Sequence, residues 1–189
     1  KKHAFDPEIR SLDELQSLPP VKKEMIKDNL DGIQNRAVKG GMIYTKTSGS
    51  SGEPLEFYRS ASWDSGHRAA ILRGLEWYGV RPWMKSGLLW GIYPGLWAGI
   101  KLRITDLLQN RFRQRKFDLS KKVMLEFLRK LKDARYLEGY PSFIYELAGF
   151  VNSDASGPAG REAESIDLLL IKGTSEKIYP HYRREILKA

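Results

Sequence analysis

The chain has 189 residues, of which 41% are hydrophobic and 29% charged, and it carries a formal net charge of +9 at pH 7. This length can bury one hydrophobic core, and the charged fraction is that of a globular protein rather than a fibrous or disordered one. The absence of cysteine excludes a disulfide framework, a cysteine-ligated zinc site and a cysteine nucleophile.

The first third of the chain predicts a short helix over residues 22–29 and then two strands over 42–45 and 55–59, which flank a Ser/Gly-rich loop. Ser62 is expected to cap a further helix that ends at Gly79. The apolar face of this helix comprises Trp63, Ala70, Ile71, Leu75 and Tyr78.

The longest uncharged run extends from Ser86 to Ile100. It contains Pro94 and is shorter than the roughly 20 apolar residues that cross a bilayer. A buried strand over 88–93 followed by a packed loop is favoured over an interfacial membrane segment. The sequence therefore predicts no transmembrane segment, and with no signal-peptide pattern we expect a cytoplasmic protein.

Residues 101–122 are strongly basic. Against Asp106 and Asp118 they carry eight cationic side chains: Lys101, Arg103, Arg111, Arg113, Arg115, Lys116, Lys121 and Lys122. Nucleic acid, an anionic membrane surface or a polyanionic cofactor could bind such a patch, and a solvated surface is the plain alternative. Only Phe112 and Phe117 interleave aromatic rings with these charges, which argues against nucleic acid.

The rest of the chain continues the alternation of helices and strands. Ser120 is expected to cap an amphipathic helix whose apolar stripe is Val123, Met124, Phe127, Leu128 and Leu131. The remaining predictions are a strand over 136–140, a helix capped by Ser142, a disordered insertion over 152–161, a buried strand over 167–172 and a last helix from Pro180. No shift of composition marks a domain boundary. The pattern predicts an α/β fold, a layered sheet with flanking helices.

The most informative segment is the loop between the first two strands, which places four hydroxyl side chains and two glycines within residues 47–52 and ends on Pro54. Glycine lets the backbone approach a ligand, and hydroxyl groups donate to phosphate oxygens, so such a loop can wrap a polyphosphate. A Walker loop is excluded because the only glycine pair with its spacing, Gly74 and Gly79, is followed by valine. The sequence also lacks Gly-x-Gly, and hence the dinucleotide fingerprint. A flexible linker is the alternative, and the strand-like flanks argue against it.

Residues 47–54 resemble the phosphate loop of adenylate-forming enzymes, Thr-Ser-Gly-Thr/Ser-Thr-Gly-x-Pro. Further segments resemble the phenylacetate–CoA ligase-like branch and its relatives in capsular polysaccharide biosynthesis, in the order in which that branch has them. They are the entry segments 11–15 and 18–24, the Gly-Tyr-Pro-Ser turn within 137–142, and the adenine-side loop with its following helix at 171–176 and 179–184. Glu53 departs from the lysine often found before the loop proline.

The resemblance implies that residues 1–189 are part of the large N-terminal adenylation (AMP-binding) domain, without the C-terminal lid domain. Members of the family are roughly twice as long. The downstream Tyr-Gly-x-Thr/Ser-Glu segment, the ribose-binding aspartate and the C-terminal catalytic lysine have no counterpart here. We therefore expect an incomplete, inactive piece of an enzyme and assign no catalytic residue.

The chemistry implied by the resemblance is activation of a carboxylic acid by ATP and Mg²⁺ to an acyl-adenylate, followed by transfer to CoA or a carrier thiol. The residues implied to hold the β- and γ-phosphates are Thr47, Ser48, Gly49, Ser50, Ser51 and Gly52. Those implied to line the adenine side are Gly173, Thr174, Ser175 and Glu176, with a polar helix cap as the alternative. Tyr140 and Ser142 are implied to border the acyl pocket, with a turn and helix cap as the alternative.

Two functional hypotheses remain open from the sequence. One is the front part of an acyl-adenylating ligase, and the other is a non-catalytic domain that keeps the phosphate loop and binds a nucleotide or an anionic surface. No metal site is predicted, because His67 has no cluster of His, Asp or Glu around it at metal-ligand spacing.

Overall fold

A computed structural model describes residues 10–16, 18–34, 37, 40–47, 54–90, 95–114 and 118–189. The chain divides into two compact units, Lys1–Ala69 and Ala70–Ala189. The division falls inside a helix, where no change of composition marks it.

The first unit contains short helices and one β-hairpin. Its elements are α1 (Leu12–Gln16), α2 (Lys23–Asp28), α3 (Leu30–Ile33), β1 (Met42–Lys46), β2 (Glu56–Ser60) and the start of α4 (Ala61–Glu76). Strands β1 and β2 pair antiparallel, with Met42 opposite Ser60 and Lys46 opposite Glu56. This confirms the predicted strand–loop–strand unit, and α2 confirms the helix predicted over 22–29.

Helix α4 differs from its prediction in both its cap and its apolar face. Ser60 Oγ accepts a hydrogen bond from the backbone N–H of Trp63 at 3.1 Å, so Ser60 rather than Ser62 caps the helix. Of the predicted face only Leu75 is buried, while Trp63 is 52% exposed. The Trp63 ring instead stacks on His67 at a centroid distance of 5.1 Å. The helix itself was therefore predicted correctly. Most of its predicted apolar face, however, is not buried by other described residues. Gly79, just beyond the helix, has φ +77° as a helix-ending glycine requires.

The second unit is an α/β layer structure. After α4 its elements are β3 (Ser86–Leu89), α5 (Leu96–Leu108), β4 (Arg111–Gln114), α6 (Lys121–Leu131), β5 (Tyr136–Gly139), α7 (Pro141–Ser153), α8 (Pro158–Ala163), β6 (Leu170–Gly173) and α9 (Pro180–Ile186). The sheet has the order β4-β3-β5-β6, and every pairing in it is parallel. This confirms the predicted α/β fold with a layered sheet and flanking helices.

The hydrophobic core lies between one face of this sheet and α6 and α7. Leu89 and Leu137 from the sheet meet Phe127, Leu128 and Leu131 of α6, and α7 adds Ile144, Leu147 and Val151. The predicted α6 stripe is thereby confirmed. Gly87 in β3 is required by this packing, because a Cβ atom there would lie 2.7 Å from Leu131 Cδ2.

Three predictions for the second unit are corrected. The packed loop expected after the strand, at the end of the uncharged run, is the start of helix α5. The basic run that follows contains strand β4. The strand predicted over 88–93 begins earlier, at Ser86, and residues 91–94 lie outside the described part. The strand predicted as buried over 167–172 is β6, an edge strand in which Ile171 is exposed.

The disordered insertion expected over 152–161 is also wrong, because α7 and α8 cover most of it. Asp154 organises the connection between them: its carboxylate accepts the N–H of Ala159 at 2.8 Å, and its carbonyl accepts the N–H of Gly157 at 2.8 Å. Ala159 is fully buried. The Gly, Pro and Ser residues therefore form a tight turn and helix start.

Among the described residues, no helix combines the length and the apolar character that crossing a membrane requires.

Candidate functional site

The order of the strands creates a crevice at one edge of the sheet. From β3 the chain moves outward to β4 and then crosses to β5 on the other side of β3. In parallel sheets the connections diverge at such a reversal, and ligands bind outside the carboxyl ends of the two strands concerned. The residues that follow β3 and β5 are therefore candidates to line a binding site.

Aromatic side chains follow both strands. The rings of Trp90, after β3, and Tyr140, after β5, lie 4.8 Å apart between centroids, and Phe143 adds a third ring 6.1 Å from Tyr140. The backbone N–H of Tyr140 donates to the carbonyl of Leu89 at 3.3 Å, which holds the two strand ends together. Tyr140 was predicted to border an acyl pocket. Trp90 was not, since the sequence placed it inside the apolar strand predicted over 88–93.

The adjacent loop, after β6, lies directly against the turn after β5. The N–H of Thr174 donates to the carbonyl of Gly139 at 3.0 Å. The N–H of Ser142 donates to Glu176 Oε2, also at 3.0 Å. Two segments that are 34 residues apart in the chain, and that were singled out separately from the sequence, thus form one surface at the carboxyl edge of the sheet.

The contact between Ser142 and Glu176 corrects the predicted helix cap. Tyr140 occupies the N-cap position of α7, Pro141 is the first helical residue, and Ser142 lies inside the first turn with its N–H unpaired within the helix. The Glu176 carboxylate accepts that N–H. A negative charge at this end of a helix is also favoured by the helix dipole.

The loop after β6 has a constrained backbone. Ser175 has φ +66°, a conformation that non-glycine residues seldom adopt. A Cβ atom on Gly173 would lie 3.0 Å from both Ile178 Cδ1 and Pro141 Cγ, so the loop packs closely on the start of α7. The predicted Gly173, Thr174, Ser175 and Glu176 therefore form a tightly built turn.

Helix α9 fixes the far side of this loop. It begins at Pro180, as predicted, and packs on α7 through Tyr182 and Tyr145, whose rings stack at 4.5 Å. Asn152 Nδ2 donates to Glu185 Oε1 at 2.8 Å and to the Glu185 carbonyl at 3.0 Å. The loop after β6 is consequently held at both ends, by β5 and by α7.

The base of the predicted phosphate loop belongs to the first unit. Thr47 and Leu55 extend the β-hairpin by one pair: the N–H of Thr47 donates to the Leu55 carbonyl and Thr47 Oγ1 accepts the N–H of Leu55, both at 2.9 Å. The Thr47 hydroxyl donates to no acceptor among the described residues, so its proton can be donated to a ligand. Ser48, Gly49, Ser50, Ser51 and Gly52 lie outside the described residues.

No group of three or more His, Cys, Asp or Glu side chains in the described part of the chain is placed to hold a metal ion.

Comparison with solved structures identifies the fold. The open conformation of 2-hydroxyisobutyryl-CoA ligase, in complex with 2-HIB-AMP and CoA, matches 98% of this chain with a TM-score of 0.57 and 16% sequence identity. Two postadenylation structures of that ligase, with R3-HIB-AMP and with 2-HIB-AMP, match 84% of the chain at 15% identity and TM-scores of 0.44 and 0.45. No protein-family model and no curated protein matches the chain.

The chain spans 44% of the ligase chain in the first of these structures and 39% in the other two. The first match establishes that this chain shares its fold with that part of the ligase chain.

Proposed function

We propose that this chain forms part of the nucleotide- and acid-binding portion of an ATP-dependent acid–thiol ligase. The observation that carries the proposal is the surface at the carboxyl edge of the sheet, where the turn after β5 and the loop after β6 meet through Ser142 and Glu176. The fold it shares with part of a CoA ligase supports the proposal.

The proposed reaction has two steps. A carboxylate oxygen of the acid attacks the α-phosphorus of ATP, the bond from that phosphorus to the pyrophosphate oxygen breaks, and an acyl-adenylate and pyrophosphate form. The thiolate of CoA or of a carrier then attacks the acyl carbon and releases AMP. The first step needs little covalent help and depends on charge placed around the leaving pyrophosphate.

In this proposal residues 47–52 donate N–H and O–H groups to the β- and γ-phosphates, and the loop Gly173–Glu176 lies on the adenine side. Trp90, Tyr140 and Phe143 border the acid, since a cluster of rings at a crevice suits an apolar acyl group. Mg²⁺ would enter with ATP and offset the charge that develops on the leaving pyrophosphate.

We further propose that residues 1–189 belong to one N-terminal adenylation domain that is larger than this chain. Apolar side chains are left uncovered on α5, where Trp97 is 81% exposed and Leu107 is 80% exposed. In the described part of the first unit Asp64 is the only buried side chain, so that unit has no apolar core of its own there. The motif order favours the phenylacetate–CoA ligase-like branch, including its capsular polysaccharide relatives, with CoA as acceptor.

Binding of ATP tests the role of the phosphate loop. The double substitution Ser48→Ala with Ser51→Ala removes two hydroxyl donors, and we expect it to weaken ATP binding about tenfold, at roughly 0.5–1.5 kcal/mol for each lost hydrogen bond. Isothermal titration calorimetry with MgATP on the full chain measures the change.

The matched control is Ser65→Ala with Ser156→Ala, which removes two exposed hydroxyls that make no hydrogen bond among the described residues. The control should leave ATP affinity unchanged. Equal affinity in the loop variant and the parent chain would remove the loop from the phosphate site.

A further inference from the structure

A charged cleft lies along β4, at the end of the sheet beyond β3. Its volume is about 580 Å³, which is within the range of small-molecule sites. It is lined by Arg103, Asp106, Leu107, Arg111, Phe112, Arg113, Gln114 and Lys130. Four of these side chains are cationic and one is anionic, so the cleft carries an excess of positive charge.

The centre of the cleft is a carboxylate shared by two guanidinium groups. Asp106 on α5 accepts from Arg111 Nε at 3.0 Å, from Arg113 Nε at 2.6 Å and from Arg113 Nη2 at 2.5 Å. The side chains of Asp106 and Arg113 are 8% and 3% exposed. One buried carboxylate thus faces two guanidinium groups, so among the described residues this cluster keeps one positive charge in excess, which an anion bound in the cleft would offset.

The carboxylate is ionised at neutral pH, which fixes this charge balance. Burial alone would raise the pKa of Asp106, but the hydrogen bonds and charges of Arg113 and Arg111 outweigh it and hold that pKa below its usual range. Asp106 therefore keeps both guanidinium groups in place, and their remaining N–H donors are free of the carboxylate.

The rim adds two further cations. Arg103 on α5 and Lys130 on α6 are exposed, and neither pairs with a carboxylate in the part of the chain that the structure describes. Helices α5 and α6 lie on opposite faces of β4, because Arg111 and Arg113 point to α5 while Phe112 packs on Phe127 of α6. The two rim cations therefore approach the edge of β4 from both sides.

We infer that this cleft binds a small ligand that carries two or more adjacent phosphate groups. The pre-oriented guanidinium groups of Arg111 and Arg113 suit phosphate oxygens, and the flexible Arg103 and Lys130 close on the outer phosphate. The inference is independent of the proposed adenylation and holds whether or not the chain activates an acid. The alternative is that charges on an edge strand only discourage strand-to-strand association, and that role needs no ligand.

The test is calorimetric titration of the full chain with inorganic pyrophosphate, without Mg²⁺ and at low salt. We expect saturable binding that weakens about tenfold in Arg103→Gln with Lys130→Gln, since two charge-assisted contacts are lost. Lys121→Gln with Lys122→Gln is the matched control, since it removes two exposed cations from the start of α6, outside the cleft. All four side chains are exposed, so the fold should survive, and circular dichroism verifies it.

Repeating the titration in the Ser48→Ala with Ser51→Ala background separates this cleft from the phosphate loop, because the tenfold loss caused by Arg103→Gln with Lys130→Gln should persist there. Three results would overturn the inference: no saturable binding, an equal loss in both charge variants, or a loss only in the loop variant. Retention on phosphatidylserine vesicles that Arg103→Gln with Lys130→Gln abolishes, without saturation by pyrophosphate, would assign the cleft to a lipid surface and also overturn it.

Discussion

At the scale of single residues, Asp106 shows how charge replaces hydrophobic packing where a helix meets the sheet. Helix α5 has one buried side chain, and that side chain is Asp106, bound to Arg111 and Arg113. A hydrophobic pattern cannot reveal a helix whose inward contact is a carboxylate and whose apolar residues face outward. This explains why the sequence predicted a packed loop there.

The same carboxylate sets a pH dependence. The pKa of Asp106 is lowered in the folded chain relative to about 3.9 in an unfolded one, so its contribution to stability is complete above that value and is lost as the pH falls through the folded pKa. We expect Asp106→Asn to reduce the free energy of unfolding by roughly 3 kcal/mol at pH 7, because two guanidinium groups lose their counter-charge. Urea unfolding at pH 7, 4 and 3 measures the effect.

The difference between the parent chain and the variant should shrink below pH 4. A stability difference that stays constant across these pH values would mean that the carboxylate charge does not hold α5 on β4. Asp133→Asn is the control, since that carboxylate is exposed and, among the described residues, pairs with Lys85 alone.

At the scale of elements, the sequence predicted those helices and strands best whose apolar side chains are most completely buried. The stripe on α6 was predicted because Phe127, Leu128 and Leu131 are all inside the core. The helix α8 was missed because its start depends on the Asp154 carboxylate and on a glycine turn, which from sequence resemble a flexible loop. Similarly, the contact between the turn after β5 and the loop after β6 could be predicted only from the order of the strands in the sheet, and no local sequence pattern gives that order.

The contact between these loops should matter for both stability and binding. Glu176→Ala leaves the N–H of Ser142 without its partner at the start of α7, and we expect a loss of about 1 kcal/mol in the free energy of unfolding. If the loop after β6 lies on the adenine side, the affinity for ATP should also fall, by about threefold or more, because the loop loses its anchor. Calorimetry and urea unfolding give the two values.

Two variants distinguish the positioning of the loop by Glu176 from a general effect of its negative charge. Glu176→Gln keeps an oxygen acceptor and should recover most of the ATP affinity, while Glu164→Ala removes an exposed carboxylate elsewhere in the second unit and should change neither value. ATP affinity that is unchanged in Glu176→Ala, despite lower stability, would show that the contact only caps α7.

At the scale of the whole molecule, the fold class and the order of the motifs were available from the sequence, while the units and the charged cleft were not. The division between the units lies within α4, a continuous helix, and so leaves no mark in the composition. The basic run could be recognised in the sequence, but the sequence did not show which of its cations are paired. Arg111 and Arg113 bind Asp106, whereas Arg103 lies on the rim of the cleft.

The most direct test of the central claim is carboxylate-dependent exchange of labelled pyrophosphate into ATP, with aryl and aliphatic acids. It should be run on this chain, on the full product of the reading frame that carries it, and on that product with Ser48→Ala and Ser51→Ala. We expect exchange in the full product with at least one acid, a clearly lower exchange rate in its loop variant, and no exchange in this chain alone. ATP bound by the full product without exchange for any acid would contradict the ligase and favour a non-catalytic nucleotide-binding domain.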